Sequence, residues 1–184
     1  TTLLGSVTAS GTGSWSFTPA TALSEGSHTF SITATDAAGN VSSSVSSTAI
    51  IDTVAPGAVT GLAAANNNGS TAIAIPGNSV TSDSTPLLTG SGEAGARVTI
   101  LDGNVALGTA IVSSNGSWSF VSPVLSEGIH TLNVTQTDAA GNVSPPASIT
   151  LTVDTVAPAA VSNLTITDDV APVTGPLANG AVTN

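Results

Sequence analysis

Apolar and polar residues alternate along much of this chain. Ile129, Thr131, Asn133 and Thr135 alternate with His130, Leu132, Val134 and Gln136, and the second set, which holds Leu132 and Val134, is assigned to a core. Ser148, Thr150 and Thr152 alternate in the same way with Ile149, Leu151 and Val153. A period of two sends successive side chains to opposite faces of a sheet, so these runs predict half-buried strands. Leu87 to Gly92 and Arg97 to Leu101 are further short β-rich runs, one on each side of Glu93-Ala94-Gly95-Ala96. Asp102-Gly103 and Asn115-Gly116 are tight-turn dipeptides. Trp118 and Phe120 fall on one face of their strand and are expected to be the largest core side chains. No segment carries a helical period.

The pattern repeats. Gly13-Ser14-Trp15-Ser16-Phe17 returns as Gly116 to Phe120, Leu23-Ser24-Glu25-Gly26 as Leu125 to Gly128, and Thr35 to Ser42 as Thr137 to Ser144. Ile51-Asp52-Thr53-Val54-Ala55-Pro56 returns as Val153 to Pro158. Asp36 to Asp138 and Asp52 to Asp154 are both offsets of 102, which sets the period. Residues 1–53 are then the C-terminal half of one copy, 57–155 a complete copy, and 159–184 the N-terminal part of a third. The incomplete first copy is expected to expose an apolar sheet face. The Pro-ended joints read as short stiff linkers with a carboxylate at the root. About seven short strands in ~100 residues, with regular turn signals, predict an all-β fold of tandem immunoglobulin-like β-sandwich repeats.

Composition sharpens this. Only 3% of residues are aromatic, so Val, Ile, Leu and Ala must build the cores. Arg97 is the one basic residue against eleven Asp and Glu, giving a net charge of −10. Such a surface repels phosphate backbones, which excludes nucleic acid as a partner, and disfavours anionic membranes. No apolar run approaches the ~18 residues of a membrane span. The chain has no Cys, which fits a bacterial extracellular protein stabilised without disulfides. No signal peptide is visible at Thr1, and the chain is expected to be an excerpt of something longer. An enzyme is not expected. No Ser has a nucleophile motif around it, and His28 and His130, at equivalent places in two copies, are read as packing or turn residues.

The candidate chemistry is acidic. In a sandwich of this kind, the loop holding Glu93 (between the second and third strands) and the loop holding Asp138 (between the last two) share the pole where the chain comes in. Asp52 reaches that pole through the linker. Three carboxylates without a basic partner other than Arg97 repel one another, so a hard cation with oxygen ligands is the first reading, and Ca²⁺ its identity. The plainer reading is solvated loop acids, with Asp138 capping its own turn. Asp36 and Asp154 are the repeat equivalents of Asp138 and Asp52 and are weaker candidates. So are Asp83 and the pair Asp168-Asp169, which aligns with the neutral Asn66-Asn67 of the complete copy; there a plain polar turn is the competing reading.

Asp-Thr-Val-Ala-Pro at the joints, Gly-Glu-Ala-Gly-Ala at 92–96, Asn-Gly-Ser-Trp-Ser-Phe at 115–120 and Thr-Asp-Ala-Ala-Gly-Asn-Val-Ser at 137–144 together resemble the bacterial Ig-like repeats of very large, type I-secreted surface adhesins of the RTX and biofilm-associated type. The resemblance implies a row of rigid domains on the bacterial cell surface, with Ca²⁺ at the junctions, holding an adhesive tip away from the cell. Neighbouring repeats would be its immediate partners, and a host-surface or matrix ligand would be bound elsewhere in the full protein. The alternative is that the repeats are themselves a ligand- or glycan-binding module of a secreted protein. Sugar platforms need exposed aromatics, and Trp15, Trp118 and three Phe are all that the chain offers.

Overall fold

The structure, a computed structural model, describes residues 2–69, 71–168 and 175–177. Every regular element in that range is a strand. The first copy contributes β1 (Gly26–Ile32) and β2 (Val45–Ile51), an antiparallel pair. The complete copy contributes β3 (Thr60–Asn66), β4 (Ile73–Ile75), β5 (Ser79–Thr81), β6 (Leu87–Ser91), β7 (Arg97–Asp102), β8 (Val105–Ile111), β9 (Ser117–Val121), β10 (Gly128–Thr137) and β11 (Ala147–Val153). Beyond the second joint β12 (Ile166–Asp168) pairs with β13 (Gly175–Leu177). No helix among the described residues is long and apolar enough to cross a membrane.

The complete copy is a sandwich of a five-stranded sheet, ordered β5-β11-β10-β7-β8, and a four-stranded sheet, ordered β4-β3-β6-β9. Its strands number nine rather than seven. The two extra ones, β4 and β5, are three residues long, too short to show an alternation in the sequence. All pairings are antiparallel except β5 with β11, which is parallel.

The alternation decides what is buried. On β10, His130, Leu132, Val134 and Gln136 point inward, as their period predicts. Val98 and Ile100 of β7 and Leu151 and Val153 of β11 join them, and Leu88 and Trp118 come from the facing sheet. Each buried Leu, Ile or Val side chain contributes roughly 1.5–3 kcal/mol relative to exposure. Trp118 is 4% exposed, whereas Phe120 on the same face is half-buried and packs at the core's edge. Both rings need a glycine opposite. A Cβ on Gly90 would lie 2.8 Å from the Trp118 indole, and one on Gly108 2.6 Å from the Phe120 ring. In the first copy, where β1 and β2 stand as a two-stranded sheet, the equivalent Trp15 is 55% exposed.

His130 is buried and polar on both ring nitrogens. Nδ1 lies 2.6 Å from a carboxylate oxygen of Asp102, and Nε2 lies 2.9 Å from the carbonyl of Ser126. Both partners are acceptors, so the ring satisfies both only as the doubly protonated imidazolium. Burial, the largest single influence, pulls its pKa down. The hydrogen bond to Asp102, the Ser126 carbonyl and the Asp102 charge outweigh it and leave the pKa above the usual histidine value. A pKa raised on folding contributes stability that is fully present below the unfolded value of about 6.5 and is lost as pH rises through the folded value. Unfolding midpoints compared across neutral pH should fall as pH rises. Asp102→Asn should flatten that fall, and an equally steep fall in the variant would show that the pair is not its source.

Candidate metal centre at the repeat joint

Asp138 opens the loop between β10 and β11. Its backbone N–H donates to the Asn142 carbonyl at 3.1 Å, which closes the turn. The side chain then caps that turn. Oδ1 accepts from the N–H groups of Gly141 at 2.7 Å and Asn142 at 2.9 Å, and Oδ2 accepts from Asn142 Nδ2 at 2.8 Å. These donors favour the charged form. The Asn142 side chain, ahead of the backbone N–H groups, holds the Asp138 carboxyl below its ordinary pKa. Asp36 repeats the arrangement with Ala38 and Asn40, and its pKa is lowered through Asn40 in the same way. The repeated Asp-Ala-Ala-Gly-Asn stretch is thus a self-capped turn in both copies.

Asp52 reaches this loop through its backbone. Its carbonyl accepts from Asn142 Nδ2 at 3.1 Å, while its Oδ1 accepts from the Val54 N–H, also at 3.1 Å. Asp154 makes the same turn with Val156. Glu93, exposed in the loop between β6 and β7, comes to the same pole through its own backbone: its N–H donates to Oε1 of Gln136 at 2.8 Å. Because of β4 and β5, this loop lies between the copy's fourth and fifth strands. The linker, the Glu93 loop and the Asp138 loop therefore meet. Their carboxylates do not stand as one ligand cluster: among the described residues no three Asp, Glu or His side chains are grouped so that they could hold a metal ion.

The pole holds oxygen types that a hard cation takes, and a cation there would have to displace the Asn142 amide N–H that now bridges them. The Asp138 carboxylate and the Asp52 carbonyl already converge, and the same Asn142 amide nitrogen donates to both. Carboxylate, backbone carbonyl and Asn amide oxygens are all Ca²⁺ ligands.

Asp83 lies apart from this pole. It is fully buried, and its Oδ1 accepts from the Thr85 N–H at 2.8 Å and the Thr85 hydroxyl at 3.1 Å, its Oδ2 from the Asn67 N–H at 2.9 Å. Asp168 ends β12, and Asp169 lies outside the described residues.

One joint residue was not read from the sequence. The carboxylate of Glu25 accepts from the N–H and hydroxyl of Thr53, and Glu127 repeats this on Thr155. Each linker root is thereby tied back to its own repeat. The repeated Leu-Ser-Glu-Gly carried the signal, as a Glu at a fixed distance before the linker Thr in both copies.

A search of curated proteins finds no match. Among solved structures, the chain is similar to CopC from Methylosinus trichosporium OB3b, with 16% identity and a TM-score of 0.32 over 43% of this chain and 85% of that one. It is also similar to the fibronectin(III)-like modules of Clostridium thermocellum CbhA, with 21% identity and a TM-score of 0.34 over 43% of this chain and 89% of that one. A family model described as the bacterial Ig-like domain matches residues 1–53 and 57–155. With most of its length matched in two units, the chain belongs to the bacterial Ig-like domain family.

Proposed function

We propose that these repeats are structural spacers in the stalk of a large extracellular bacterial adhesin of the RTX or biofilm-associated type. They serve cell adhesion or biofilm formation without catalysis, from the bacterial cell surface. The observation that carries this reading is the joint, where the linker is bonded from both sides. Glu25 holds its root from the preceding repeat, Asn142 holds its Asp52 carbonyl from the following one, and Gln136 pins Gly57, the residue at which the linker enters that repeat. A tether that only had to connect two binding modules would need none of these contacts.

Ca²⁺ belongs to the proposal as the stiffener of the joint, with Asp52, Glu93 and Asp138 supplying acidic ligands. Bound there, it would neutralise the acids of the pole and tie the linker root to the two loops. Extracellular Ca²⁺ modules bind with Kd of roughly 10⁻⁴–10⁻³ M. At tenfold excess over Kd, binding adds about 1.4 kcal/mol of stability. The test is the unfolding midpoint of the protein across a Ca²⁺ titration, beside Glu93→Gln, which removes one charge from an exposed side chain. A rise with Ca²⁺ that the variant loses supports the site. No rise in the wild type at millimolar Ca²⁺ removes the metal from the account. Burial of Trp118 weighs against the glycan-binding alternative, because it takes the complete copy's one indole away from any ligand.

A further inference from the structure

We infer that Gln136 makes the pole of the complete repeat a metal-independent dock for the point where the preceding linker enters it, at Pro56-Gly57. The residue at this position then sets how firmly each joint is seated. Gln136 is 2% exposed, at the end of β10. Its backbone is fixed by Ser144, whose hydroxyl accepts its N–H at 3.0 Å and whose N–H donates to its carbonyl at 2.9 Å. Both ends of the side-chain amide are then used across segments. Oε1 accepts from Glu93 N–H at 2.8 Å, and Nε2 donates to the carbonyl of Gly57 at 2.7 Å. The linker's Pro56, next to Gly57, is buried.

This is built space. A Cβ on Gly92 would lie 2.4 Å from Gln136 Oε1 and 3.2 Å from Val112, so only glycine leaves room for the amide. A buried amide satisfied at both ends loses a bond and strands a polar group if the linker lifts off, so the contact resists opening. The partner it fits is an extended peptide that offers a carbonyl just after a proline. At the equivalent position the first copy has Ala34, which has no side-chain amide. A repeat of that kind would lack this bond to its incoming chain. The root of the linker is a separate matter: among the described residues it is the exposed bond from Asn142 to the Asp52 carbonyl that holds it forward, and that is where the proposed Ca²⁺ acts.

The test is ¹⁵N relaxation of the Val54, Ala55 and Gly57 amides in the whole 184-residue chain, in EDTA so that no Ca²⁺ contributes. Wild type should give order parameters near those of rigid backbone, about 0.85. Gln136→Met keeps the side chain's length and removes both polar ends. Gly92→Ala leaves Gln136 in place and pushes its amide aside. Either should bring the Ala55 and Gly57 values below about 0.6 while the Trp118 environment stays native. If one variant fails to fold, the other decides. A mobile linker in wild type, or a rigid one in a folded variant, overturns the dock. Because the readout excludes Ca²⁺, its failure leaves the metal titration standing, and the reverse also holds.

Discussion

Replacing Trp118 with Ala is expected to cost the complete repeat about 3–5 kcal/mol, the usual range for deleting a buried large aromatic side chain. The ring is 4% exposed and lies over Gly90, which can offer no side chain to fill the space left behind. One feature pushes the loss toward the lower end. Among the described residues the buried indole Nε1–H has no hydrogen-bond partner, so the native state already carries a desolvation cost of roughly 1–3 kcal/mol that the variant no longer bears. Trp118→Phe, which drops that N–H with less loss of volume, should therefore be much milder than the size change alone predicts. Trp15→Ala in the first copy, at 55% exposure, should stay within about 0.5 kcal/mol. Urea unfolding of the three variants checks the order. A Trp118→Ala variant near wild type would mean that the β9 face is not part of the core.

The second large effect is expected at Asp83. This carboxylate has no exposed surface, and its charge is met by the N–H groups of Asn67 and Thr85 and the Thr85 hydroxyl. Turned so that both of its ends are satisfied, the Asn67 side-chain amide adds a further donor at 3.0 Å. Asp83 lies two residues beyond Thr81, whose carbonyl accepts the Asp154 N–H at 2.9 Å, so its turn braces the root of the second joint. Asp83→Ala would strand these donors, each at roughly 1–3 kcal/mol where water cannot replace the oxygen. The expected loss is about 3 kcal/mol or more. Asp83→Asn keeps the shape but sets an NH₂ against N–H donors, and should recover only part of it. Denaturant midpoints for the pair decide between this and a merely polar turn, for which both variants would unfold like wild type.

What the sequence made legible was what has a period or a motif. The two-residue alternation of β10 and β11 placed Leu132, Val134, Leu151 and Val153 in the core correctly, because one sheet face is dry and the other wet. Tight turns were readable at Asp102-Gly103 and Asn115-Gly116, where Gly103 and Gly116 take positive φ values of 55° and 83° that other residues avoid. Three-residue strands have no period to read, so β4 and β5 were missed. Phe120 shares its face with Trp118 but sits nearer the rim, and a single strand's alternation cannot tell centre from edge.

At the joint, the meeting of three segments was legible from topology. How they meet was not. Asp138 spends both oxygens on its own loop, Asp52 presents its carbonyl, and Glu93 is reached through its N–H. Backbone groups leave no mark in a sequence, and a count of acids overlooks them. Gln136 was read only as one more inward position of β10, since a neutral amide on a core face carries no charge signal. Its difference from Ala34 shows only when the two copies are set side by side.

In the proposed function, Ca²⁺ at the joints holds a row of sandwiches extended. This claim is tested most directly by small-angle X-ray scattering of a chain carrying two complete repeats, in millimolar Ca²⁺, in EDTA, and as Glu93→Gln in Ca²⁺. The largest maximum dimension is expected for wild type with Ca²⁺. A shorter, more variable particle is expected for the other two samples, with circular dichroism showing every sandwich still folded. Equal maximum dimensions in all three would contradict the claim and leave the proline linker and its hydrogen bonds as the only determinants of the joint.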